Sequence, residues 1–302
     1  MFKQLVVGVD EHQGGRDAIA LARQLLARDG DLTLAYVYAG DQRLYRSASP
    51  PQETSEHQHA LKLLEKARNE AGGQAQLRWR ACPSVGRGLH ELCEMIEADL
   101  LVVGSSRRGL LGRVLIGDDT HAALHEAPCA VAIAPAGFAR EPAAMQEVGV
   151  GYDRSPESER AVEVARELAT EVGAQLSAFQ AVSLPSGAFR ADPSLVRDAI
   201  ATLVNEARHR IAELGGVEPH VAYGHPAEEL AAFSTSLDLL IVGARDYGPI
   251  GGLIHGSTSQ QLARTARCPL LVLTRDTPVI AAPVAGEHEP EPTRAATEQS
   301  GS

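Results

Sequence analysis

No apolar run in this 302-residue chain reaches the roughly 18 residues of a membrane span, and no charged segment followed by a signal-like apolar stretch precedes the first strand pattern. A cytoplasmic protein is expected. Cysteine is sparse: Cys82, Cys93, Cys129 and Cys268 show no C-x-x-C spacing, so they read as small buried hydrophobes in a reducing compartment. Basic residues are outnumbered, and a net charge of -11 argues against a nucleic-acid backbone or an anionic membrane as partner. Catalytic motifs are missing too. There is no G-x-x-x-x-G-K-[ST] loop, no G-x-S-x-G elbow, and no grouping of a nucleophile with a base, so no enzyme is expected. His121 and His125 stand one helical turn apart but lack a third ligand, so no metal site is expected. His255 reads as a solvent-exposed loop histidine.

What the chain does contain is a duplication. Asp99-Leu-Leu-Val-Val-Gly104, Gly117 and Cys129 recur 139 residues later as Asp238-Leu-Leu-Ile-Val-Gly243, Gly256 and Cys268. The halves also start alike, with Leu5-Val-Val-Gly-Val-Asp10 and Val148-Gly-Val-Gly-Tyr-Asp153. Two domains are expected, over 1-136 and 146-275, joined by a linker at 137-145. Residues 276-302 lack periodic apolar positions and are expected to be a disordered tail.

Each half alternates β-branched runs with helical patterns. Strands are predicted near 3-9, 32-38, 75-81, 99-104 and 129-134, then 147-152, 175-182, 217-223, 238-243 and 269-274. Helices are predicted near 14-28, 54-71, 88-97 and 117-126, then 156-172, 194-214, 226-236 and 256-266. Ala161, Ala165, Leu168 and Val172 share one helical face, as do Ile200, Leu203, Ala207, Ile211 and Leu214, and both stripes are assigned to the core. The fold class that follows is α/β, with two open doubly wound parallel five-stranded sheets in tandem. Ligands bind such sheets beyond the carboxyl ends of the strands, where Asp10, Gly104, Asp153 and Gly243 lie.

The loops after the fourth strands carry the chemical question. A glycine leaving a buried strand permits close backbone approach, and Gly256-Ser257 at a helix start offers free N–H groups, a hydroxyl and a positive dipole end, which suit a phosphate. A purely structural reading, in which Gly104 and Gly243 turn the chain and Ser257 caps a helix, fits the same residues. Gly149-Val-Gly151 resembles the start of a dinucleotide fingerprint, but Arg154 takes the third glycine position, so it is assigned to a strand.

On these residues both halves resemble universal stress protein domains, over roughly 2-136 and 145-275. The family loop reads Gly, two residues, Gly, nine residues, then Gly-Ser or Gly-Thr. The resemblance implies a Rossmann-like fold akin to the adenine nucleotide alpha hydrolases, ATP or AMP as ligand (magnesium with ATP), and no turnover chemistry. It places Asp10, Val37, Gly104 and Gly117 at the first site. At the second it places Asp153, Ala181, Val242, Gly243, Asp246, Gly256, Ser257 and Thr258. The aspartates would meet the nucleoside and the second-strand residues the adenine, through their backbone; for Asp10 and Asp153, capping of the next helix is the competing role.

Both copies depart from the pattern. In the first, Arg107 replaces the middle glycine and Asp118 the serine, and a carboxylate at a helix N-terminus occupies the anion seat itself and repels phosphate. In the second, Asp246 replaces the middle glycine, yet aspartate tolerates positive φ. Arg245 there, and Arg108 and Arg113 in the first half, could compensate. Binding is therefore expected mainly in the second half. The resemblance also implies that the last strands pair or exchange across a pseudo-twofold axis, which makes the chain an intramolecular pseudo-dimer. A homodimer of whole chains and a regulatory protein partner are the associations expected beyond that.

Overall fold

The computed structural model describes residues 1–38, 55–105, 114, 123–124, 127–142, 144–184, 192–244 and 257–274. The first half runs β1 (Phe2–Gly8), α1 (Gln13–Leu25), β2 (Leu26–Tyr38), α2 (Ser55–Glu70), β3 (Gln76–Ala81), α3 (Val85–Met95), β4 (Leu100–Gly104) and β5 (Ala130–Ala134). The second repeats the pattern with β6 (Glu147–Gly151), α4 (Pro156–Val172), β7 (Gln175–Val182), α5 (Pro193–Glu213), β8 (Glu218–Tyr223), α6 (Pro226–Phe233), β9 (Leu239–Gly243), α7 (Ser257–Thr265) and β10 (Leu270–Leu273). The predicted helix at 117–126, apart from 123–124, and the predicted tail lie outside the described residues.

Local sequence explains where these elements stop and start. Helix α4 opens on Ser155, whose side chain accepts a hydrogen bond from the Ser158 N–H; Pro156 follows in the first turn with Glu157 and Glu159, and Gly173 closes the helix at φ 73°. Asp192 and Pro193 open α5 in the same way. Helix α1 ends at Leu25, short of the predicted 28, because Leu26 pairs with Phe2 of β1 and the Asp29-Gly30-Asp31 run that follows is poor in helix formers. Strand β2 therefore starts early and pays no helical register: Phe2 pairs with Leu26 but Gln4 with Asp31, so the ladder slips between them. The α5 stripe is only partly core. Ala207 and Ile211 are buried, whereas Ile200, Leu203 and Leu214 are half-buried.

The strands form one sheet in the order β3-β2-β1-β4-β5-β10-β9-β6-β7-β8. Within each half neighbours are parallel, and the order is that of a doubly wound unit. At the centre β5 and β10 pair antiparallel, with Leu270 opposite Ile133 and Val272 opposite Val131. The last strands thus pair and do not exchange, each staying beside its own fourth strand. Two five-stranded sheets become one of ten strands. The outer edges carry Arg78 and Arg80 on β3 and Pro219 on β8, residues that discourage further strand addition.

Helices cover both faces, and the apolar cluster on each face runs through both halves. One joins Leu21 and Leu64 to Leu168 and Ile211; the other joins Leu92 and Leu101 to Leu240 and Leu262. All four cysteines are free and buried within the second cluster. The linker is docked. Gly137 at φ 85° leads into a short 3-10 helix, Phe138–Arg140, and the buried Asp17 of α1 accepts the N–H groups of Gly137 and Ala139, each at 2.8 Å.

Candidate functional site

The parallel order brings the carboxyl ends of β1, β2 and β4 together in the first half and those of β6, β7 and β9 together in the second. Each strand end is held by its neighbour: Val9 donates to the Ala35 carbonyl and Tyr152 to that of Phe179, both at 2.9 Å, and Ala244 donates to Leu273 at 3.0 Å. The crevice residues therefore sit on rigid elements.

Asp10 follows β1, and its Oδ1 accepts the N–H groups of His12 at 2.9 Å and Gly15 at 3.0 Å. That is the bonding of a helix-capping carboxylate. Asp153 follows β6 and accepts from the Ser155 N–H at 3.0 Å, while capping of α4 passes to Ser155 itself. Both aspartates are exposed at the crevice mouth. The preceding turn differs as well. Arg154 stands at φ 68°, a left-handed conformation that favours glycine, so the position that breaks the dinucleotide fingerprint keeps the glycine-like backbone without the glycine.

Val37 is buried at the end of β2, and its side chain fills the space over Gly88 of α3. Ala181 is partly buried at the matching position on β7. Gly104 and Gly243 have a definite packing role. A methyl group on Gly104 would collide with the carbonyl of Gly14, and one on Gly243 would lie 2.5 Å from the carbonyl oxygen of Glu157. Each glycine lets its strand end touch the first turn of the helix that follows the first strand of its half. Val242 is buried beneath that contact. Helix α7 begins at Ser257, with Thr258 partly buried in its first turn. Gly117, Asp246 and Gly256 lie outside the described residues, as do Arg107, Asp118 and Arg245.

A tyrosine stands near the aspartate of each crevice. Near Asp10, the Tyr36 hydroxyl is pushed above its ordinary pKa by burial and then by the carboxylates of Glu11, Asp10 and Glu56. Near Asp153, Tyr152 is raised by burial and Glu159, but Arg154 and Arg210 act in the opposite sense. Both surrounds hold charges of either sign, since Arg16 joins Glu11 and Glu70 beside Asp10. A cleft of about 440 Å³ opens beside Asp10 between α1 and α2, where Lys62 and Lys66 line it, but it reaches neither Val37 nor Gly104.

Two structural carboxylates escaped the reading of the sequence as anything but landmarks. Asp99 accepts the N–H groups of Lys3 at 2.7 Å and Gln4 at 3.1 Å, and Asp238 accepts those of Gln146 at 2.8 Å and Glu147 at 2.9 Å. Each aspartate ties the start of the fourth strand to the start of the first, and the 139-residue repeat was the signal for that shared role. No corresponding pattern marks Asp17. Among the described residues no cluster of three metal-ligating side chains occurs, and no helix is long and apolar enough to cross a membrane.

The profile of the Universal stress protein family matches residues 1–135 and 145–274. A universal stress protein of Mycobacterium tuberculosis H37Rv is 33% identical over 183 residues, covering 58% of this chain and 62% of that protein, so the chain spans less than two thirds of that relative's length. Another from the same strain is 26% identical over 286 residues, covering 89% and 95%. In solved structures, a universal stress protein from Archaeoglobus fulgidus DSM 4304 is 16% identical, with 90% and 98% of the two chains covered and a TM-score of 0.60, a likeness of fold alone.

Proposed function

Because the chain belongs to the universal stress protein family, we propose that it is a non-catalytic regulator that binds an adenine nucleotide, AMP or magnesium-ATP, mainly in its second half. Asp153 and the backbone at Ala181 would receive the nucleoside. Val242, Gly243, Asp246, Gly256, Ser257 and Thr258 would seat the phosphates at the α7 N-terminus, where unpaired N–H groups favour an anion. In the first half Asp10 and Val37 would form the nucleoside end and Gly104 and Gly117 the phosphate loop, but Asp118 replaces the serine of the anion seat.

The observation that carries the asymmetry is the residue after the loop's last glycine in each half: Ser257, which opens α7, against Asp118. A hydroxyl there leaves the anion seat open, whereas a carboxylate fills it with negative charge. Regulation then follows from occupancy, transmitted to a protein partner, in the cytoplasm and in a homodimer.

Calorimetric titration of the full chain with AMP and ATP tests this. Ser257→Asp should weaken binding by at least about tenfold, since it places a carboxylate on the phosphate seat. Asp118→Ser should add a second, weaker binding event. Binding that survives Ser257→Asp but is lost in Asp10→Asn would reverse the assignment.

A second reading has its own support. Asp10 and both strand-end glycines are engaged in internal bonds and packing, as they would be in a scaffold that no longer binds nucleotide. No heat with either nucleotide up to millimolar concentration would favour it. Rapid steady-state phosphate release would instead make the protein an enzyme.

A further inference from the structure

The seam between the halves ends in a cavity of about 430 Å³, which lies where β5 runs out and β10 begins and shares no lining residue with the proposed nucleotide contacts. We propose that this cavity binds a small oxyanion carried on an apolar body, with Arg140 from the linker and Arg267 from the second half closing on the anion from opposite walls. The volume falls in the range of about 300–1,000 Å³ usual for small-molecule sites.

Both arginines are mounted on fixed backbone. Arg140 ends the 3-10 helix whose N–H groups are tied to buried Asp17, and the Arg267 N–H donates at 2.9 Å to the hydroxyl of fully buried Ser234. Neither guanidinium has an ion-pair partner among the described residues. Asp238 also lines the cavity, but its carboxylate accepts the Gln146 and Glu147 N–H groups. Glu141 and the charge that Asp238 keeps both oppose an anion there, so affinity rests on both arginines acting together. Planar guanidiniums match phosphate and carboxylate oxygens in pairs, and Phe138 and Leu237 supply apolar wall for the rest of the molecule. A ligand held this way would bridge the linker to the second half.

The test titrates the full chain with inorganic phosphate, phenyl phosphate and benzoate at matched ionic strength, read by calorimetry and by thermal unfolding. Phenyl phosphate should bind more tightly than inorganic phosphate, and comparison with benzoate separates a phosphate ligand from a carboxylate one. Arg140→Gln and Arg267→Gln should each weaken binding about tenfold, the loss of one charge-assisted pair. Both side chains are exposed, so the variants should fold, and AMP titrations, which report the crevices, should be unchanged in them. Equal responses in the wild type and the double variant, loss in only one of the two single variants, or no response to any probe at millimolar concentration would overturn the proposal.

Discussion

At the scale of single residues, the positions that read as ligand contacts prove to be under internal demand first. Gly104 and Gly243 each bring a strand end against helix backbone, so Gly104→Ala and Gly243→Ala should both destabilise the fold, by about 2–4 kcal/mol in urea unfolding, as strain of this kind does. Valine at either site would confuse binding with folding. Arg154 and Glu97 make the opposite case. Both non-glycine residues hold positive φ, 68° and 51°, so Arg154→Gly and Glu97→Gly should each raise the urea midpoint, by about 1 kcal/mol of stability. Asp99 adds a pH dependence. Burial raises its carboxyl pKa against the lowering effect of the Lys3 and Gln4 N–H groups. The stability its protonated form contributes is fully present below the ordinary carboxyl pKa and is lost as pH rises through the raised one. The stability of the wild type relative to Asp99→Asn should therefore fall as pH climbs through the carboxylate range, which paired urea curves at several pH values will check.

At the scale of elements, most of the secondary structure was legible because apolar period and punctuation agreed. Ser155-Pro156 and Asp192-Pro193 open helices, and Gly173 ends one, with no help from tertiary context. The end of α1 was misread because apolar periodicity continues past Leu25, while the pairing of Phe2 with Leu26 that ends the helix is a long-range event. The α5 stripe was overread for a related reason: periodicity shows which residues share a face, not how deeply each is covered. The linker stands out in the sequence as a break in periodicity, but its docking does not. Asp17 sits in a helix pattern as an ordinary polar residue, and its bonds cross more than a hundred positions of sequence. Asp17→Ala should cost about 3 kcal/mol by leaving two backbone N–H groups without their acceptor, and should speed amide exchange at Gly137 and Ala139.

At the scale of the molecule, the duplicated halves share one sheet and two continuous apolar layers. The repeat was visible in four spaced landmarks, and the pseudo-dimer was implied by the family resemblance. The choice between pairing and exchange was not visible, because β5 and β10 have the same apolar character in either arrangement. A continuous core predicts joint failure. Leu271, fully buried on β10 opposite Ala132, should cost about 2–5 kcal/mol when replaced by alanine, and differential scanning calorimetry should still show one transition for the whole chain. Two separated transitions would mean that the halves melt independently.

The antiparallel meeting of β5 with β10 sets the two lobes head to tail, so their mouths open toward opposite poles of the particle. A rigid partner that docks over one pole cannot also cover the other. Whatever covers one end leaves the other uncovered, and a copy anchored by one pole would present only the far opening to solution.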